Sequence, residues 1–148
     1  MPTRKLRDLE VSAIGLGCMP MSWGYNVADA DKAEIRATIH RTLELGITLF
    51  DTADVYGPWT NEALLGEYLV KDGLRDQAII ASKCGLTPIN MTSYGKNGKP
   101  DYVRQACEDS LRRLGTDYID LYQLHRVDPE VPIEETWGAF AGLVEQGK

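Results

Sequence analysis

One pattern recurs along this chain and restricts its fold more than any other feature: a short apolar run, a loop, then a segment with apolar residues at helical spacing. Strands that alternate with amphipathic helices predict βαβ units and a parallel sheet. Ser12 to Gly17 is the first run. Asp31 and Glu34 then fit a capping box with Asp in the Ser/Thr place, and Ile35, Ile39 and Leu43 make one stripe that Gly46 ends in a left-handed cap. Ile47 to Phe50 is the second run; Asn61 caps a second helix with Leu65 and Leu69 facing inward, and Asp72-Gly73 breaks it. Ala78 to Ala81 is the third run. Residues 84–100 read as one long irregular stretch, of a length that is usually functional or mobile. Asp101 caps a third helix with Val103, Cys107, Leu111 and Leu114 as its stripe and Gly115 as its stop. Ile119 to Leu124 is the fourth run. Pro132 then takes a first-turn position, and Ile133, Trp137, Phe140 or Ala141, and Val144 form the buried face of a helix that Gly147 ends. Ahead of the repeat, Arg4 to Leu6 can pair with Leu9 to Val11 as a hairpin.

Four strand-helix units fit either a small open sheet or half of an eightfold barrel. A dinucleotide-binding open sheet carries a glycine fingerprint after its first strand. Here Gly15 and Gly17 lack the third glycine, because position 20 is Pro20, and no phosphate-loop pattern occurs. The expectation is therefore an α/β fold of the (β/α)8 TIM-barrel type with only its first four units, since a closed barrel needs roughly 200 to 250 residues and this chain has 148.

Composition narrows the class of partner. The net charge of −6, with acidic and basic residues interspersed and no basic run, argues against a nucleic-acid or anionic-membrane surface. No apolar run approaches the roughly 18 residues that span a bilayer, and the start lacks a secretory signal, so a cytoplasmic location is expected. Cys18, Cys84 and Cys107 have neither framework nor metal-type spacing, which predicts reduced thiols and no metal site. Asn90-Met91-Thr92 matches the N-glycosylation pattern by accident.

In such a barrel the active-site groups come from the C-terminal ends of strands and the loops that follow them. Asp51 ends the second run, Tyr56 lies in the loop after it, Lys83 ends the third run, and His125 ends the fourth. Taken singly, each has a structural explanation. Taken together they converge on one mouth. A Lys closing an apolar strand needs a partner, which Asp51 can supply, and a cation beside the phenol of Tyr56 favours the phenolate and makes a proton donor usable near neutral pH. A neutral His125 could hydrogen-bond a substrate carbonyl.

The segments Leu49-Phe50-Asp51-Thr52-Ala53-Asp54-Val55-Tyr56-Gly57 with Asn61-Glu62 and Leu65-Gly66, Ala81-Ser82-Lys83-Cys84-Gly85, and Asp117 to Arg126 resemble the signature blocks of the aldo-keto reductases. Ile14-Gly15-Leu16-Gly17-Cys18-Met19 is similar to that family's first strand, and the resemblance covers nearly the whole chain. It implies that Tyr56 is the general acid, Lys83 lowers its pKa, Asp51 pairs with Lys83, and His125 orients the carbonyl. It also implies hydride transfer from NADPH, with Gly17, Cys18, Met19, Asp51 and His125 at the cofactor and Trp23 walling the substrate pocket. Residues 1–148 then correspond to the N-terminal half of the barrel, ending where strand five would begin. Three outcomes follow: a reductase half that works when a complementing C-terminal half or a second copy closes the barrel, a truncated non-catalytic fragment, or a regulatory module like the potassium-channel β-subunits. Those subunits resemble the last block with Asn in the place of His125, which favours descent from a working reductase.

Overall fold

The computed structural model describes residues 1–24, 31–90 and 93–148 of the chain. The N-terminal hairpin is present, with β1 (Thr3–Leu6) antiparallel to β2 (Leu9–Ser12). Next come β3 (Gly15–Gly17), α1 (Lys32–Glu44), β4 (Leu49–Asp51), α2 (Asn61–Leu65) and β5 (Ile79–Cys84). The hairpin strands β6 (Leu86–Pro88) and β7 (Tyr94–Lys96), α3 (Pro100–Leu114), β8 (Leu121–Leu124) and α4 (Ile133–Glu145) complete the order. β3, β4, β5 and β8 form one parallel sheet in that order, so each strand pairs with the next strand-helix unit in sequence. This is the predicted arrangement of four β/α units.

The two faces of the sheet differ because side chains alternate along a strand. Phe50 and Ile80 point to one side and are fully buried under the helices, with Ile39, Leu65, Val103 and Leu114. Leu49, Ile79 and Leu121 point to the other side and are half-buried. α1 and α3 seat themselves as their stripes predict: Asp31 caps α1 by accepting from the backbone N–H of Ala33 at 2.8 Å, and Gly115 ends α3 in the left-handed region. After α2 the chain continues as a wider turn over Gly66–Val70. Gly66 is required there, since a Cβ would lie 2.6 Å from the carbonyl oxygen of Leu114.

Charge also organises the layers. Glu62, with no exposed surface, accepts from the Ser82 hydroxyl at 2.5 Å and from the Arg113 guanidinium at 2.7 Å, which ties α2, β5 and α3 together. At the opposite end of the sheet Arg75 pairs with Asp120 at 2.8 Å, and the same Asp120 oxygen accepts from the backbone of Ile80.

Several local expectations are corrected. Residues 84–100 are not one irregular stretch: β6 and β7 pair antiparallel across three residues each, a ladder too short to show a period in the sequence. Thr60, not Asn61, is the cap of α2, because the Asn61 side chain is drawn inward to buried partners. α3 begins at Pro100 with Lys99 as its cap, so Asp101 lies inside the first turn and bonds Arg104. Pro132 is the cap of α4 and not its first residue. The buried face of α4 is Thr136, Ala139, Phe140 and Leu143, whereas Trp137 is 50% and Val144 78% exposed. The two stripes differ by one residue, about 100° of helix rotation. The bond from the Thr136 hydroxyl to the carbonyl of Gly98, 2.7 Å long, fixes the observed one. In the glycosylation match, Met91 and Thr92 lie outside the described residues.

Candidate active site

The C-terminal ends of the parallel strands bring the four expected residues together. Asp51 closes β4, Lys83 sits one residue from the end of β5, and His125 follows β8, with its backbone N–H held by the carbonyl of Cys84 at 2.8 Å. Beyond β4 the ladder to β5 persists, from Thr52 N–H to the Ala81 carbonyl and from Asp54 N–H to the Lys83 carbonyl. The chain then turns tightly so that Tyr56 comes back over the strand ends. Gly57 allows this turn with φ of +77°, where a Cβ would also meet the Thr60 hydroxyl at 2.1 Å.

The Lys83 ammonium donates to Asp51 Oδ1 at 2.7 Å and to the carbonyl of Thr52 at 2.7 Å, and it lies 5.3 Å from the centre of the Tyr56 ring. The imidazole of His125 meets the Tyr56 ring edge-on, centroids 5.8 Å apart. Burial, then the cations of Lys83 and Arg126, hold His125 down at about 4 from its ordinary 6.5, so the ring is neutral at pH 7. Its Nδ1 is buried without a partner among the described residues, as is Oε1 of Gln123, the residue opposite Lys83 on β8. The four residues thus form one constellation with a phenol, an adjacent fixed cation and a neutral imidazole. Such a set can protonate an oxygen that gains negative charge.

The loop after β3 forms the neighbouring wall. Trp23 lies 5.4 Å from Tyr56 and 5.3 Å from Tyr94, ring centre to ring centre. Met19 and Leu86 pack against the same cluster. Among the described residues nothing lies within 4 Å of where a Cβ on Gly17 would stand, and Cys18 offers only backbone because its side chain is fully buried. Burial pushes the Cys18 thiol up to about 12. All three cysteines are free and buried, and among the described residues no three His, Cys, Asp or Glu side chains converge as metal ligands do.

Two residues escape a reading of the sequence alone. Tyr94 belongs to a hairpin whose pairing left no periodic trace. Asn61 resembles a helix cap in sequence, yet its amide donates to the Cys18 carbonyl at 2.8 Å and to the Ser22 hydroxyl at 2.7 Å, and accepts from the Thr52 hydroxyl at 2.7 Å. It staples the Trp23 loop to the Asp51–Tyr56 loop. Asn61→Ala leaves these buried groups unpaired and is expected to lower stability by about 3 kcal/mol. Denaturant titration checks this as a lower midpoint at unchanged slope; a loss below about 0.5 kcal/mol would contradict the staple.

The sequence profile of the Aldo/keto reductase family matches residues 13–148. An aldo-keto reductase from Bacillus halodurans, solved in its holo form, superposes with a TM-score of 0.86 at 39% identity, covering 99% of this chain and 47% of its own. A glycerol dehydrogenase from Gluconobacter oxydans superposes with a TM-score of 0.82 at 33% identity, covering 99% and 46%. A thermostable aldo-keto reductase solved with the inhibitor epalrestat gives 0.81 at 31%, covering 99% and 51%. The chain therefore spans about half the length of the solved structures it matches. With the strand order, the strand-end residues and a profile match over nearly all of its length in agreement, the chain belongs to the aldo/keto reductase family.

Proposed function

We propose that residues 1–148 are the N-terminal half of a (β/α)8 barrel that reduces an aldehyde or ketone to an alcohol with NADPH. The observation that carries this reading is the Lys83–Asp51 pair fixed beside Tyr56, with neutral His125 edge-on to the same ring. The site's residues suit a nicotinamide. Open Gly17 leaves room for a flat ring along the backbone of Gly17 and Cys18, with Met19 beside it, and the unpartnered buried atoms of Gln123 and His125 lie at the same end of the sheet. Together with Asp51 these residues would hold the cofactor, which supplies the hydride when bound. Tyr56 gives its proton to the carbonyl oxygen. Lys83 stabilises the phenolate left behind, Asp51 keeps Lys83 in place, and a ring N–H of His125 orients the carbonyl. Trp23 walls the substrate side. His125 also favours this reading over a channel-subunit role. The test is aldehyde-dependent oxidation of NADPH, with NADH in parallel, in the assembly that closes the barrel; no oxidation of either across an aldehyde panel would overturn the reading.

Lys83→Met is expected to lower the rate of reduction by about 10² or more, because the phenolate left behind loses the cation 5.3 Å from the Tyr56 ring centre. Steady-state rates check this. A rate within a few-fold of the unaltered protein would remove Lys83 from the reaction.

The chain is proposed to be cytosolic and to work when a complementing C-terminal half or a second copy completes the barrel. Among the described residues β3 and β8 each have one paired neighbour in the sheet, and exposed Trp137 and Val144 line an apolar groove of about 420 Å³ with Leu121 and Tyr122. Unpaired edges beside apolar surface favour association. The 148-residue chain alone is expected to self-associate and to bind NADPH weakly. Light scattering at several concentrations, with NADPH fluorescence titration on the same sample, checks both. A monomer that binds NADPH tightly would contradict the expectation.

A further inference from the structure

We propose that Tyr94, on the β6–β7 hairpin, is a specificity-determining residue that sets the pocket to prefer flat aryl carbonyl compounds over polyhydroxylated ones. The inference rests on the reductase reading of the Tyr56 site and goes beyond it to the substrate class. The hairpin leaves β5 directly after the catalytic strand end, through Gly85 at φ of +102°, and its base is pinned by the bond from Asn97 N–H to the Gly85 carbonyl, 3.0 Å long. That anchor carries Tyr94 to the Trp23 wall of the site. There its ring meets Trp23 at 76°, close to the edge-to-face geometry aromatic pairs prefer. Trp23 in turn leans on Tyr56, and Tyr56 on His125, so one aromatic row runs from the hairpin to the reacting groups.

The row decides which substrates lose least on entering. Met19, Trp23, Leu86 and Tyr94 pack against the cluster of Ala53, Val55 and Tyr56, and none of these residues carries a charge; the Lys83–Asp51 pair lies beside them. A polyol aldehyde leaves water for that wall without replacing its hydrogen bonds, which is costly. An aryl aldehyde gives up little and gains contact with a Trp23 face whose tilt Tyr94 fixes. Tyr94 thus acts on substrate through Trp23.

The test compares kcat/KM for benzaldehyde and for glyceraldehyde in the closed barrel. Tyr94→Ala is expected to lower the benzaldehyde value about tenfold more than the glyceraldehyde value, near the upper end of what an edge-to-face ring contact is worth. Tyr94→Phe should keep the ratio within about twofold. Equal losses on both substrates, or a Phe variant as poor as Ala, would overturn the proposal. A second measurement needs no turnover: Trp23 fluorescence in a Trp59→Phe, Trp137→Phe background, titrated with each aldehyde without reduced cofactor. Tighter benzaldehyde binding that Tyr94→Ala weakens supports the proposal, and equal binding of the two overturns it. If the unaltered protein reduces neither aldehyde, the reductase reading fails, and this titration still decides the role of Tyr94.

Discussion

Tyr56→Phe is expected to lower carbonyl reduction by about 10³-fold or more, within the range that a positioned general acid contributes, while nicotinamide binding stays within a few-fold of the unaltered protein. The substitution removes one oxygen and leaves the ring. The contacts to Trp23 and His125 and the turn through Gly57 are made by ring and backbone, so the wall and the loop survive. The fixed Lys83 ammonium and neutral His125 remain, yet neither replaces the phenol as the acid: Lys83 is engaged by Asp51 and Thr52, and His125 gains a proton only below about 4. Steady-state rates with a cofactor titration alongside measure both halves of the prediction. Near-normal turnover would remove Tyr56 from the role of acid.

Arg113→Met is expected to cost about 3 to 5 kcal/mol at pH 8, the usual result of leaving a buried charge without its partner. Arg113 is the cation beside fully buried Glu62, and Asp54 lies close to both. Burial and then Glu62 push the Asp54 carboxyl up to about 7 from 3.8, with Arg113 opposing. A folded carboxyl that keeps its proton to higher pH than the unfolded one makes stability fall as pH rises from the ordinary carboxylate range to about 7, and level off above it. The Arg113→Met penalty should therefore shrink at pH 5, where Asp54 is protonated in the fold. Adding Asp54→Asn should recover about 2 kcal/mol at pH 8. Denaturant midpoints at the two pH values check the pair; a penalty independent of pH would mean that Arg113 does not act on Asp54.

The parts of the structure that were legible in the sequence are those with a local cause. Ile35, Ile39 and Gly46 specify α1 within one segment, and Asp51, Lys83 and His125 are conspicuous because each interrupts or ends an apolar run. Tyr56 was legible through its place in a block that resembles the family. What was not legible depends on partners distant in sequence. The face of α4 is set by a bond between Thr136 and Gly98, 38 residues apart. Asn61 looks like a cap until Cys18 and Thr52 approach it, and the pairing of Glu62 with Arg113 joins residues 51 positions apart that meet only in the fold. Tyr94 sits in a ladder of three residues, below the length at which alternation can be read.

The central claim, that these four residues serve reduction by a nicotinamide, is tested most directly by isotope transfer in the closed barrel. Reduced cofactor carrying deuterium at the transferring position of C4 is incubated with an unlabelled aldehyde, and the alcohol is analysed by mass spectrometry. The proposed function predicts an alcohol with one deuterium on the former carbonyl carbon, formed by the unaltered protein and lost with Tyr56→Phe. An alcohol without deuterium, or equal labelled product from the Tyr56→Phe protein, would contradict it.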